Sequence, residues 1–452
     1  MEEKDKKSAS NTIKLLIFFN LLLAFVAFIK DIILASYFGT SSTADAINLA
    51  FFLPDMLGNN LIGAAVAVST IPILTKLSTR NNLLILNSTI QTFTFLIGVG
   101  TLCFSVLLLF FSGPLFYLFH VNGPTHEPIV LHYFFIMLPI IIISPIWQFG
   151  SSILQSKKKF VIPAITPVLF NLLVLIGLLF CQIKGVRQDN GGKIYSFMIT
   201  FAIFIICFLT WFSILREKEI KWSIKSIRLK GEVKAILPTF CSYALILSFS
   251  QLALLFERFF AGSLETGTIA ALSYAYRISQ FPIWVFVAAI NTFILPTISS
   301  HLENRDFSSF KSDLVKSFLF VIIISGVLSL FLVILSHPLL SLLLVRGNFT
   351  LQSVNLTSEI LKGYSLSIVG QSLYVFCTRY YVAEGKMRVP LLTGLLGSCL
   401  NICLLYFFVP QFGAVGIGYA VSVSSTLSGA FLLSHFYKRL INMERKGEVS
   451  IE

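Results

Sequence analysis

Residues 11–60 read NTIKLLIFFNLLLAFVAFIKDIILASYFGTSSTADAINLAFFLPDMLGNN. From Leu15 to Ile29 the only polar side chain is Asn20, and the apolar run continues past Lys30 and Asp31 to Phe38. The cluster Gly39-Thr40-Ser41-Ser42-Thr43 then breaks the pattern, and a second apolar run begins at Ala44. A membrane crossing needs about 20 predominantly apolar residues in a helix, whereas a barrel strand needs only about ten with alternating polarity. Two long runs separated by a short turn signal therefore read as two spanning helices. The charged head MEEKDKK imitates a signal peptide, but no small-residue cleavage site follows, so the first helix is expected to be retained.

The rest of the chain has the same character. Of its 452 residues 56% are hydrophobic and only 12% charged, with a mean hydropathy of +0.85. A soluble globular protein carries roughly 25% charged residues. Lipid leaves no water for bare backbone, which must be satisfied within helices or a closed barrel. With Gly, Pro and charge clusters as breaks, helices are expected at about 13–37, 44–75, 83–112, 127–154, 160–182, 194–215, 234–260, 268–299, 314–336, 353–384, 389–409 and 412–437. The expected fold class is an all-α polytopic membrane protein with twelve transmembrane helices.

The formal net charge of +13 would suit nucleic acid if it covered one polar face, but the basic residues sit in short loops between apolar spans. Twenty-five fall on the side of the two termini and only Lys184, Arg187, Lys193 and Arg346 on the other. Basic loops stay inside, so both termini are expected in the cytoplasm, with no nucleic-acid partner. The longest basic loop lies at 216–233 and separates two sets of six helices. The expected organisation is a tail at 1–12, a lobe at 13–215, the linker, a second lobe at 234–437 and a tail at 438–452. Ile220, Trp222, Ile224 and Ile227 interleave with lysines in the linker, a pattern suited to the membrane interface. Pro54 and Pro282 stand 228 residues apart and Pro163 and Pro390 stand 227 apart, which suggests an internal duplication. Two six-helix repeats run in the same direction and are related by pseudo-two-fold symmetry about the membrane normal.

An ionisable residue within a span costs several kcal/mol unless it snorkels or serves a function. At 1.5 Å per residue Lys30 lies roughly 10–12 Å, and Arg277 roughly 13 Å, from the outer ends of their helices, too deep to snorkel comfortably. One cation from each half would face the other across a cavity that selects an anion such as phosphate or pyrophosphate. Lys362 reads either as a third such cation or as an interfacial lysine. Glu257, Arg258, Arg379 and Glu384 read as helix-end residues. Adjacent Lys30 and Asp31 point about 100° apart and are not expected to pair, leaving Asp31 to meet a cation on another helix. Asn48, Asn59, Asn60, Ser273, Tyr274, Tyr276 and Gln280 are candidate cavity linings, or ordinary interhelical glue. All seven cysteines lie in apolar segments without ligand spacing, so no metal or cofactor is expected.

KDIILASYFGTSSTADAINLAFFLP (30–54) with STIPIL (69–74), SYAYRISQFP with ILPTIS (273–299), and RGNFT (346–350) through YYVAEGKMRVP (380–390) resemble the MurJ (MviN) family of lipid II flippases. These belong to the multidrug/oligosaccharidyl-lipid/polysaccharide exporter superfamily. The resemblance runs from about residue 12 to 438. It implies a V-shaped pair of lobes around a cationic cavity, moving an undecaprenyl-pyrophosphate-linked peptidoglycan precursor outward by alternating access. It carries substrate-binding roles onto Lys30, Asp31, Asp45 and Arg277. The implied setting is the bacterial plasma membrane, with membrane lipids and the lipid-linked glycan as partners and a monomer as the working unit.

The sequence departs from that family in three places. Gly58 and Asn59 in GNNLIGAA (58–65) replace basic residues of helix two, helix eleven has no Asp or Glu for a sodium site, and the sequence stops after twelve helices instead of fourteen. Export of another undecaprenyl-linked polysaccharide unit therefore stays open, as does a multidrug or cation antiporter using Asp31, Asp45 and Asp55. An enzyme is not expected. His120, His126, Glu127, Asp189 and Glu265 are scattered and lack catalytic spacing.

Overall fold

The computed structural model describes residues 2–79, 83–119, 127–217, 231–289, 307–383 and 388–446. Most of the expected linker lies outside these residues, as do His120, His126, Glu384, the 290–299 end of the eighth expected helix and the chain end beyond 446. Every regular element among the described residues is helical. The chain divides into two compact units, Met1–Gln251 and Leu252–Glu452.

The first unit begins with α1 (Glu2–Phe38), which starts inside the segment expected as a tail. The next crossing is α2 (Ser42–Pro54), a π-helical stretch (Asp55–Gly63) and α3 (Ala64–Thr79) in direct succession. There follow α4 (Leu83–Leu118), α5 (Glu127–Met137), α6 (Ile140–Ser156), α7 (Val161–Ile183) and α8 (Gln188–Leu215). The turn ending α1 follows from its residues. Gly39 takes a positive φ of 58°, which glycine adopts without strain, and donates its N–H to Ala35 O at 2.8 Å. Ser41 then caps α2 by accepting from Ala44 N at 3.2 Å. The α5–α6 break falls at Leu138 and Pro139, since proline supplies no N–H to continue the ladder.

Helix α9 (Gly231–Gly262) runs across the division. Its early residues Val233 and Ile236 pack into a core with Leu74, Leu86, Ile90, Phe93, Phe149 and Leu154. The second unit continues with α10 (Thr268–Ala289), α11 (Phe307–Leu344), α12 (Leu351–Ser365), α13 (Ser367–Ala383), α14 (Arg388–Phe412) and α15 (Ala414–Lys446). Its core gathers Leu314, Val321, Phe376, Cys377, Tyr380, Tyr381, Leu432 and Phe436. Small residues allow α15 to lie directly against its neighbours: a Cβ on Gly363 would come within 2.9 Å of Gly418 Cα, and one on Gly370 within 2.5 Å of Thr426 N. Such close backbone approach compensates in a membrane for the missing hydrophobic drive between helices.

Polarity is inverted relative to a soluble bundle. On α4, Ser88, Thr89, Gln91, Thr92, Thr101 and Ser105 are buried while Leu102, Leu107, Phe110 and Phe111 are exposed. Lipid solvates the apolar side chains, and polar ones find their partners inside.

Ten helical stretches among the described residues are long and apolar enough to cross a membrane. Two of the twelve expected crossings are not among them. The eighth is described only as far as Ala289, and the tenth is interrupted by a turn at Leu366. It also carries a dense set of buried hydroxyls, including Ser353, Thr357, Ser358, Ser365 and Ser367.

Candidate functional site

In the first unit a charged pair lies within the apolar helix α1. Lys30 Nζ sits 3.3 Å from Asp31 Oδ1, with the two side chains 12% and 25% exposed. The expectation that these neighbours could not pair is corrected here. A flexible four-carbon stem carries the ammonium round the helix to the adjacent carboxylate, whatever the angle between their Cα–Cβ bonds.

The turn between α1 and α2 is bound tightly into its own unit. Tyr37 donates its hydroxyl to Val186 O, Gln188 Nε2 donates to Tyr37 O at 3.0 Å, and Tyr133 donates to Asp189 O at 3.0 Å. Thr43 Oγ1 donates to Asp189 Oδ1 at 3.3 Å, giving that acid a structural contact. Asp45 is buried two residues beyond Thr43, in the first turn of α2, where the helix dipole favours a carboxylate. Asn48 is half-buried and donates to Ala44 O of its own helix at 2.8 Å.

Asn59 lies in the π-helical stretch. Its Nδ2 donates to Asp55 Oδ1 at 3.2 Å, and Gln148 Nε2 of α6 donates to both its backbone and its side-chain oxygen. Asn60 Nδ2 donates to the other carboxylate oxygen, Asp55 Oδ2, at 2.9 Å.

The second unit holds an arrangement that helix-end reasoning missed. Glu257 is only 2% exposed, on α9. Tyr364 of α12 donates its hydroxyl to Glu257 Oε2 at 2.6 Å, and Asn401 Nδ2 of α14 donates to Oε1 at 3.0 Å. Arg258 is also buried, and its charge is close enough to act on Glu257, Tyr276 and Tyr364. The expectation of two solvated helix-end residues is corrected. Partners on α12 and α14 cover Glu257, beside which Arg258 is buried, and distance from the helix end says nothing of such partners. A tyrosine in helix ten and a lone asparagine in the apolar run LNICLLYFF (400–408) were the available signals.

Tyr276 joins this cluster through an edge-to-face contact with Tyr364, ring centroids 5.9 Å apart. One turn along α10, Gln280 Nε2 donates to Gln371 Oε1 at 3.1 Å, and Gln371 Nε2 donates to Ser367 Oγ at 2.8 Å. Arg277 is half-buried between Tyr276 and Gln280 on the same helix. The second unit thus brings together Tyr276, Arg277 and Gln280 on one helix that packs on α12 and α13. Lys362 is exposed and stands two residues before Tyr364, about 200° away around α12, so it is not part of the Glu257 cluster.

The sequence profile described as lipid II flippase MurJ matches residues 34–450. The chain belongs to the MurJ family. Curated relatives span the chain at modest identity. The probable lipid II flippase MurJ of Thermotoga maritima is 28% identical over 406 residues, covering 89% of this chain and 80% of the relative. That of Treponema pallidum is 23% identical over 438 residues, covering 95% and 82%.

Among solved structures, a lipid II flippase MurJ in an inward closed conformation is similar with a TM-score of 0.77 at 24% identity, covering 93% of this chain and 87% of that one. An inward-facing multidrug resistance MATE transporter of the MOP superfamily is similar with a TM-score of 0.82 at 13% identity, covering 94% and 96%. Architecture alone therefore does not separate MurJ proteins from drug exporters; the sequence profile does. The fold is that of an all-helical multi-pass membrane transporter, and MurJ proteins are named as flippases, not enzymes.

Proposed function

We propose that the chain translocates an undecaprenyl-pyrophosphate-linked glycan, in the first instance the peptidoglycan precursor lipid II, across the bacterial inner membrane by alternating access. The observation that carries this reading is the flippase profile spanning 34–450, supported by the helical placement of Lys30 on α1 and Arg277 on α10. In this reading Lys30 and Arg277 bind the pyrophosphate, the guanidinium as a planar fork and the ammonium as a point charge. Asp31 and Asp45 hold Lys30 and the α1–α2 turn in register, Tyr276 and Gln280 flank Arg277, and Lys362 attracts the anionic head group at the interface. For net transport the ligand must bind the inward- and outward-facing states with different free energies. The chain works as a monomer, crosses the membrane twelve times and keeps both termini in the cytoplasm.

The decisive experiment depletes a bacterium of its own lipid II flippase and supplies this gene. Growth is expected with the wild type and with Lys30→Arg, loss of growth with Arg277→Ala at normal protein level, and weak growth with Arg277→Lys. Full activity of Arg277→Ala would overturn the anion-binding reading. Cysteine labelling tests the orientation, which an outward-facing 216–233 segment would refute.

The MATE-like fold and the acids Asp31, Asp45 and Asp55 favour one alternative, a cation antiporter. Export of a cationic dye without any response to lipid-linked pyrophosphates would select it. With no Asp or Glu on α14, transport is expected to persist without sodium.

A further inference from the structure

The π-helical stretch Asp55–Gly63 stands near the middle of a continuous helical segment, Ser42–Thr79. Its hydrogen bonding is one residue wider than in an α-helix: Ala64 N–H donates to Asn59 O, five residues back. That widening decides which side chains meet. In an α-helix, with about 100° per residue, positions i+4 and i+5 lie about 40° and 140° round from i, so only the first shares its face. A π-helix, with roughly 80° per residue, places i+4 and i+5 on either side of i, within about 50°. Asn59 and Asn60 are thereby both brought onto Asp55, one to each carboxylate oxygen, at 3.2 and 2.9 Å.

The stretch is held in this form from behind. A Cβ on Gly58 would lie 2.9 Å from the Ile140 carbonyl oxygen, and one on Gly63 only 2.4 Å from Gln148 Nε2. Gln148 in turn engages the Asn59 carbonyl and amide. Asn59 is thus committed to positioning, while Asp55 is half-exposed and Asn60 is exposed. A carboxylate and carboxamides exposed to lipid at mid-membrane would cost several kcal/mol. The face they present is therefore expected to border water and not lipid.

We propose that Asp55 and Asn60, positioned by Asn59 and Gln148, form a subsite for the neutral hydrogen-bonding groups of the glycan, its sugar hydroxyls and acetamido groups. This rests on the proposed transport of a lipid-linked glycan. The chemistry separates the subsite from the pyrophosphate: a carboxylate repels phosphate, accepts from hydroxyl and amide N–H groups, and beside a carboxamide offers both acceptors and donors to a sugar. The subsite occupies the part of helix two where the chain has Gly58 and Asn59.

The test compares binding of two probes to the full-length protein in detergent: undecaprenyl pyrophosphate, and the same lipid carrying the peptidoglycan disaccharide. Asn60→Ala and Asp55→Asn are expected to weaken binding of the glycosylated lipid about tenfold each, the size of one lost hydrogen bond to a charged or dipolar partner. Affinity for the bare pyrophosphate is expected to stay unchanged, and so is the unfolding temperature, since both side chains reach the surface. Equal losses for the two lipids, or no loss for the glycosylated one, would overturn the subsite. So would a shift in the pH dependence of transport by Asp55→Asn with glycan discrimination intact, which would make Asp55 a proton carrier instead. Wild-type protein that binds neither lipid would refute the flippase reading itself, a different outcome from wild-type binding that the two variants leave untouched.

Discussion

Asp55 and Glu257 are both carboxylates inside long membrane-type helices that accept from side-chain amides, yet the hydrogen bonds described for them are built oppositely. Asp55 takes both amides from its own helix, four and five residues on, and remains half-exposed. Glu257 takes a phenol from α12 and an amide from α14, 107 and 144 residues away in sequence, and is sealed. An acid that accepts from its own helix and stays half-exposed keeps a surface for a ligand. An acid satisfied from distant helices ties those helices together, and little of it remains for anything else.

The comparison breaks most readily at Glu257. Glu257→Ala removes the common acceptor of Tyr364 and Asn401 and is expected to destabilise the second unit by about 3–5 kcal/mol, because buried partners are left without compensation. Cys181 in the first unit and Cys377 in the second are both buried free thiols. With the other five cysteines replaced, the temperature at which each reacts with a thiol dye reports each unit separately. Cys377 should become reactive at a markedly lower temperature and Cys181 should not change; equal shifts would contradict the unit-specific role.

Tyr364→Phe keeps the ring contact with Tyr276 and removes only the hydroxyl, so a smaller loss of about 1–3 kcal/mol is expected by the same readout. Combined with Asn401→Ala it should be non-additive, because the two donors share one carboxylate. Strict additivity would show that they do not act through Glu257. Asp55→Asn is expected to change stability least, within about 0.5 kcal/mol, as for a surface position. A loss comparable with that of Glu257→Ala would erase the distinction between the two acids.

The contrast also explains what could be read from the sequence. Helix positions followed from composition, and the break after Phe38 was plain because Gly39 and Ser41 are the residues that a helix end and a helix start require. The tenth helix was expected to be continuous because Leu366 carries no breaking signal of its own. Hydropathy reports which residues are apolar but not which hydrogen-bond register the backbone adopts, so the π-helical stretch and the pairing of Asn60 with Asp55 were hidden. The Lys30–Asp31 contact was missed by reasoning from backbone direction without side-chain reach. Glu257 was misjudged because its partners are distant in the chain, a relation that local depth cannot express. Arg277, Tyr276 and Gln280 were found together because helical spacing alone places them on neighbouring turns.

The contacts of Gly363 with Gly418, and of Gly370 with Thr426 and Gly429, have a kinematic consequence. Where backbones touch, sliding by one helical turn of about 5.4 Å would drive a side chain into a main chain. A shear of that size between α15 and the α12–α13 pair is therefore sterically blocked at these contacts, and rocking within the second unit is absorbed more cheaply where its helices meet through longer side chains.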